Sequence, residues 1–167
     1  MHLRIYVKSL ISFHEKDYPA AIAAAAMEAS LDPNSAYGYF ALGQAEHPLG
    51  QCEQSIEHIK RAFLLDPRDP SSGLWHMNLG LAEVCRGRQE QAIEELKRSI
   101  DAGYRPYIPY AVLAGVEASN GDDAAAKSAL AEARRLNPLL TLKWLQAAAV
   151  MPPSVIDALR KAGLPED

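Results

Sequence analysis

A short phrase recurs along the chain at a nearly fixed interval. Leu31-Asp32-Pro33 returns as Leu65-Asp66-Pro67, with the two prolines 34 residues apart, and Leu136-Asn137-Pro138 is a third copy. Each phrase follows a stretch in which apolar residues recur three or four positions apart, the spacing of one face of an α-helix. A period of this length indicates a stack of similar structural units rather than one closed core.

A second helical pattern precedes each of these stretches. It pairs a leucine with a small residue, at Leu42-Gly43, Leu79-Gly80 and Leu113-Ala114. A glycine turn joins the two helices, because glycine readily adopts the left-handed conformation that ends a helix. These turns contain Gly50, Gly87 and Gly121. The sequence therefore predicts helix pairs in which small residues let the two helices approach closely.

The combined pattern resembles the tetratricopeptide repeat, a unit of two antiparallel helices with a 34-residue period. One repeat is matched in full by Leu42-Gly43, Gly50, Ser55, Ile59, Ala62 and Pro67. The resemblance implies an all-α, right-handed superhelical solenoid of about four helix pairs with a C-terminal cap. We expect the pairs at residues 1–34, 35–70, 71–106 and 107–138, and the capping helices at 139–167.

In the family that this pattern resembles, the first helix of each pair lines a concave face that binds peptides. Chaperone-binding members carry lysine, asparagine and arginine there to hold a terminal carboxylate, whereas this chain carries mostly aromatic and aliphatic residues. Such a groove suits an amphipathic helix or an apolar peptide segment. The predicted protein-binding groove consists of Tyr37, Phe40, Gln44, His47, Leu74, Met77, Asn78 and Leu81.

Tyr37, Phe40, Met77 and Leu81 are the contacts that we favour within this groove. Truncation of Phe40 and Met77 to alanine should then weaken partner capture and leave the fold intact. The alternative, that these residues are core covered by residues 139–150, stays open at this point. The same surface would continue onto the neighbouring first helices at Tyr6, Leu10, Phe13, Ile108, Ala111, Val112 and Gly115.

The period stops after Pro138, and a strongly apolar segment follows. Leu142, Trp144 and Leu145 belong to a predicted helix, which Met151-Pro152-Pro153 breaks before a last helix begins at Ser154. A capping role is the first interpretation, because a terminal repeat exposes an apolar edge. A self-bound ligand in the groove and a dimer contact are the alternatives. Residues 103–110, rich in tyrosine and proline, are either a stiff linker or a partner-contact loop.

Phrases at residues 64–70, 135–138 and 159–166 also resemble the C-terminal repeat region of bacterial adenylate/guanylate cyclase-type proteins, in which a catalytic or a winged-helix domain precedes the repeats. The match is concentrated in residues 60–70 and 155–166. This resemblance implies that the chain is the regulatory C-terminal segment of a larger bacterial signalling protein, either a nucleotide cyclase or a winged-helix transcription regulator.

Chemical motifs are lacking in this sequence. The 5 histidines show no zinc-pair spacing, and no phosphate loop or nucleophile elbow occurs. A net charge of −4 with interspersed signs offers no basic surface for nucleic acid or anionic lipid. Cys52 and Cys85 are far apart and suggest two reduced thiols in a cytoplasmic protein. We therefore expect a non-catalytic protein-interaction module without cofactor or metal.

Overall fold

The computed structural model describes residues 2–105 and 107–167, with the backbone alone for residues 2–4 and 6. The side chain of Tyr6, which was predicted to line the groove, thus lies outside the described residues. This part of the chain contains ten α-helices and no β-strand. The helices are α1 (His2–His14), α2 (Tyr18–Leu31), α3 (Ala36–Glu46), α4 (Cys52–Leu65), α5 (Ser72–Cys85), α6 (Gln89–Asp101), α7 (Tyr107–Ser119), α8 (Asp123–Leu136), α9 (Leu142–Ala148) and α10 (Pro153–Lys161).

The recurring phrase ends the second helix of a pair. Asp32, Asp66 and Asn137 each follow a helix with φ between −135° and −139° and ψ between 85° and 92°. The residue before a proline disfavours helical dihedrals, because the proline ring collides with its backbone. The local sequence therefore fixes where these helices stop, and with it the length of the unit.

Helix starts are fixed by side chains that accept hydrogen bonds from free backbone amides. Asp17 accepts from Ala20 at 3.1 Å, and Asp122 accepts from Ala125 at 2.9 Å, in two of the turns that lead into a second helix. Ser35 caps α3 in the same way. Each such cap stabilises its helix by about 1 kcal/mol.

Consecutive helices pack as pairs, α1 with α2, α3 with α4, α5 with α6 and α7 with α8, and each pair packs on the next. A Cβ atom at Gly43 would stand 2.5 Å from Ile59 Cγ1 and 2.8 Å from the Ser55 carbonyl oxygen, so only glycine allows α3 and α4 to cross this closely. The buried Ser55 hydroxyl donates to the Gly43 carbonyl at 2.6 Å at the same crossing. The prediction of stacked helix pairs is confirmed, and its small residues act as expected.

The last helix covers the end of the stack. α10 packs against α7, where a Cβ atom at Gly115 would stand 2.5 Å from Val155 Cγ1. Val155 and Leu159 of α10 are fully buried and belong to one apolar cluster with residues of α5 to α9. The predicted C-terminal cap is therefore present.

Cys52 and Cys85 form a disulfide, with their Cα atoms 5.6 Å apart. The expectation of two reduced thiols is wrong, and the repeat itself explains why. Cys52 begins the second helix of one pair, and Cys85 ends the first helix of the next pair. Stacking places these two turns side by side, so a sequence separation of 33 residues becomes a direct contact.

Candidate protein-binding groove

Six of the eight predicted groove residues line one cavity of about 360 Å³, which we call the groove cavity. They lie on the first helices α3 and α5, and α1 adds Leu10, Phe13 and His14 to the wall. The six are Phe40, Gln44, Leu74, Met77, Asn78 and Leu81. The structure therefore brings these six residues together, and their role as a protein-binding surface stays a prediction.

Two predicted residues lie elsewhere. Tyr37 is 38% exposed, meets the Trp75 ring edge-on at 5.9 Å and interacts through its hydroxyl with Ser71 and Asp69. It belongs to an aromatic cluster around Trp75. The Phe40 ring stacks on the Trp75 ring with centroids 5.6 Å apart, and the Phe63 ring contacts it edge-on with centroids 5.4 Å apart. This cluster holds neighbouring helix pairs together, so Tyr37 faces a joint between units rather than the groove cavity.

His47 lines a second, smaller cavity of about 230 Å³, together with Cys85 and tail residues 150–153. Its ring is buried, and among the described residues its Nε2 atom has no hydrogen-bond partner. Burial lowers the pKa of His47 to about 4, and an interaction with the Asn78 side chain opposes this only in part. His47 is therefore a neutral, buried wall residue at physiological pH.

The chain's own tail covers part of the predicted groove. Met77 and Leu81 are 3% and 1% exposed and form one cluster with Leu142, Leu145 and Met151 of the tail. The same cluster takes in the predicted continuation of the groove on α7, since Ile108, Ala111 and Val112 are all buried. The alternative that was left open, a groove filled by residues 139–150, therefore describes the C-terminal side of the concave face.

We distinguish two parts of the concave face from here on. The covered half consists of Met77 and Leu81 with the α7 residues beneath the tail. The open half consists of Leu10, Phe13, Gln44 and Leu74, and residues 147–150 of the tail line the same cavity. Phe40 and Leu74 also pack into the cluster around Trp75, and this packing fixes the positions of their side chains in the cavity wall.

The tail is fixed at both ends. The backbone amides of Leu142 and Lys143 donate to the carbonyls of Pro165 and Glu166 at 2.8 and 3.1 Å, and Trp144 packs on Tyr107 with ring centres 5.5 Å apart. After α9 the chain is extended, with φ −146° and ψ 140° at Ala149. A short extended apolar segment can therefore lie in this concave face.

Two groove residues escaped sequence reasoning. Tyr104 and Arg105 line the groove cavity from the loop between α6 and α7. Burial raises the pKa of Tyr104, because it disfavours the phenolate. The tyrosine- and proline-rich composition of residues 103–110 was the available signal, and it suggested a partner-contact loop only as an alternative.

Histidine, cysteine and carboxylate side chains do not gather in groups of three that could bind a metal ion anywhere in the described part. Two carboxylates serve the contacts between helices: the buried Glu46 binds His58 at 2.8 Å, and the half-buried Glu95 binds His76 at 2.6 Å. Within residues 2–105 and 107–167, every helix is too short or too polar to cross a membrane.

Solved structures place this arrangement among known folds. A tetratricopeptide-repeat protein of Thermus thermophilus is 19% identical, with a TM-score of 0.73 over 96% of this chain and 82% of its own. PilW, a type IV pilus biogenesis factor, is 22% identical, with a TM-score of 0.78 over 96% of this chain and 71% of its own. This chain has the tetratricopeptide-type fold.

A larger protein contains the same fold as a part. An O-GlcNAc transferase mutant of Thermobaculum terrenum matches 80% of this chain at 18% identity and a TM-score of 0.73, but the match spans only 26% of that protein. The sequence matches no protein-family model and no curated protein. The resemblance of residues 60–70 and 155–166 to cyclase-type or winged-helix regulators is not shown by these comparisons.

Proposed function

We propose that the chain is a non-catalytic scaffold or regulatory module that binds a segment of a partner protein in the open half of its concave face. The supporting observation is the groove cavity, which six residues predicted from sequence alone line together. A cavity of about 360 Å³ is of the size that accommodates small groups of apolar side chains.

The chemistry of the wall favours an extended, uncharged segment with small apolar side chains. Leu10, Phe13 and Leu74 supply apolar contact. The amides of Gln44 and Asn78 can bind backbone groups that an extended peptide leaves free. The chain's own Ala149, which has an extended backbone, and Val150 line the same cavity and are an example of such a segment.

Similar structures support a role in assembly, although each description belongs to its own protein. PilW is a biogenesis factor of type IV pili, and a chain of the Cut9–Hcn1 hetero-tetramer of APC/C matches 98% of this chain at 16% identity and a TM-score of 0.80. A chain with a similar structure thus occurs in a hetero-tetramer, which supports the protein-binding role that we propose.

The regulatory segment of a cyclase or a winged-helix regulator is not favoured. The sequence phrases that suggested this relationship have local structural roles. Asp66 binds the Arg68 amide in the turn that follows α4, and Leu159 and Leu164 are buried beneath α7 as part of the cap. Packing therefore accounts for them without a wider relationship.

The cytoplasmic location rested on reduced cysteines, and the disulfide withdraws that support. Disulfides persist mainly in oxidising compartments. The location of the protein stays a prediction, and the redox state of Cys52 and Cys85 in intact cells is the measurement that tests it.

A photo-crosslinking residue at Leu10 in the full chain tests the proposed function. In the native host, we expect it to capture a defined partner that a probe at Leu64, which is 76% exposed on α4, does not capture. The partner is then purified and titrated against two variants. Gln44→Arg places a charge and extra volume in the groove cavity and should abolish binding, whereas Gln91→Arg on the exposed face of α6 should retain it.

Melting temperatures close to that of the unmodified chain would show that both variants are folded. Equal binding by the Gln44→Arg and Gln91→Arg variants, or the same partner at Leu10 and Leu64, would contradict the proposal.

A further inference from the structure

The Cys52–Cys85 disulfide separates two cavities of the molecule. On the outer side, both cysteines line a shallow depression of about 340 Å³ with Gly50, Glu53 and Arg86. On the inner side, Cys85 lines the 230 Å³ cavity that holds His47 and tail residues 150–153. The disulfide is therefore accessible to a reagent from the outer depression, and Cys85 also faces the cavity that the tail residues line.

The turn after α3 forms the rest of the inner wall. His47 and Pro48 belong to a short 3₁₀ turn, Gly50 follows with φ 75°, and Cys52 begins α4 directly afterwards. The Cys85 sulfur lies 3.7 Å from the His47 carbonyl oxygen. The disulfide therefore fixes this turn against the end of α5, and the turn lines the same cavity as residues 150–153.

We propose that the Cys52–Cys85 disulfide is a redox-sensitive latch that holds tail residues 149–153 over the covered half of the concave face, and that a dithiol reductant releases them. The reductant's first thiolate attacks one cysteine sulfur and breaks the S–S bond. Its second thiol closes the reductant's own disulfide and expels the cysteine held in the mixed disulfide. The two protons of the dithiol end on the Cys52 and Cys85 thiols, and the reductant is oxidised.

Release is local, because other contacts keep the two helix pairs together. Glu53 of α4 binds Arg86 and Arg88, the latter at 3.3 Å, and Lys60 lies 3.8 Å from Glu83 of α5. The buried cluster around Trp75 also joins α3, α4 and α5 through apolar contacts that do not include the cysteines. Leu142 and Leu145 anchor α9 within the core cluster. Reduction therefore loosens the turn and the extended segment, and not the stack.

The consequence for binding rests on the proposed function. Ala149 and Val150 of the released segment line the groove cavity, so their release exposes more of Met77 and Leu81 in the same cavity. A partner segment then gains groove length that the chain's own tail had occupied. In the oxidised protein the shorter groove binds the same partner more weakly.

Nuclear magnetic resonance on the full chain tests the latch without any partner. The first probe is hydrogen exchange of the Ala149 amide, which donates to Leu145, and the second is attenuation of the Met151 methyl signal by a paramagnetic cosolute. With dithiothreitol we expect exchange at Ala149 to rise about tenfold and the Met151 methyl to become accessible. Ile59, fully buried between α3 and α4, should change in neither measurement.

The Cys52→Ser, Cys85→Ser double variant is the matched control. Without reductant it should already show the released tail, and dithiothreitol should then change nothing further. Unchanged Ala149 and Met151 signals would overturn the latch, and so would an equal rise at Ile59, which would show a general staple of the fold. Because neither probe involves a partner, failure here leaves the groove proposal standing, and failure of partner capture leaves the latch standing.

Discussion

The two halves of the concave face are built in the same way but differ in whether the tail covers them. Both are lined by the first helices of stacked pairs, and both carry apolar side chains. The covered half is filled by the tail and belongs to a core cluster that reaches from α5 to α10, whereas the open half keeps a cavity of about 360 Å³. Position in a repeat therefore tells which residues face inward, but only the residues outside the repeat decide whether that surface is available.

Simultaneous truncation of Phe40 and Met77 to alanine gives the largest effect that this comparison predicts. Both side chains are 3% exposed, and burial of such residues contributes about 3–5 kcal/mol for phenylalanine and about 2–5 kcal/mol for methionine. We expect the double variant to lose about 5 kcal/mol or more of unfolding free energy in urea titrations, which replaces the expectation that the fold stays intact.

Leu10→Ala, on the half-buried wall of the open half, is the comparison for that variant and should lose about 1 kcal/mol. Similar losses in the two variants would contradict the burial of Phe40 and Met77. The same result would return Phe40 and Met77 to the role of accessible contacts.

Lowering the pH should reduce the free energy of unfolding through His47, by less than the double truncation does. The folded pKa of about 4 lies below the unfolded value of 6.5, so the unfolded chain binds the proton first as the pH falls. The stability contributed by neutral His47 is thus complete above pH 6.5, and about 2 kcal/mol of it is lost by pH 5. Urea titrations at several pH values measure this loss, and His47→Gln should remove it.

His58, on α4, should have the opposite effect on how stability depends on pH. Its hydrogen bond with Glu46 raises the pKa of His58, so this pair stabilises the fold at low pH and loses that contribution as the pH rises through the folded pKa. A His58→Gln variant should therefore keep the acid loss that His47 causes. Persistence of that loss in the His47→Gln variant would show that another group is responsible.

The repeat made much of this structure accessible from sequence. The Leu-Asp-Pro phrases fix helix ends through local sterics, and Gly43 marks a crossing of α3 and α4, so both act within or between neighbouring helices. Six groove residues follow from the same register. Tyr37 did not, because its contact with Trp75 depends on the angle between two pairs, which periodicity does not give.

The tail and the disulfide depend on contacts between distant parts of the chain. Residues 139–151 have an apolar pattern that fits an end cap and a groove ligand equally well, and the fold uses α10 for the first and the preceding segment for the second. Cys52 and Cys85 lack a paired spacing, and only stacking brings their turns together. Neither outcome can be predicted from a local sequence pattern.

The division of the concave face is tested most directly by methyl resonance attenuation with a soluble paramagnetic agent on the oxidised chain. The account predicts strong attenuation of the Leu10 methyls in the open half and protection of the Met77 and Leu81 methyls beneath the tail. Equal attenuation of all three would show that the tail does not occupy the groove, and would contradict the account at its centre.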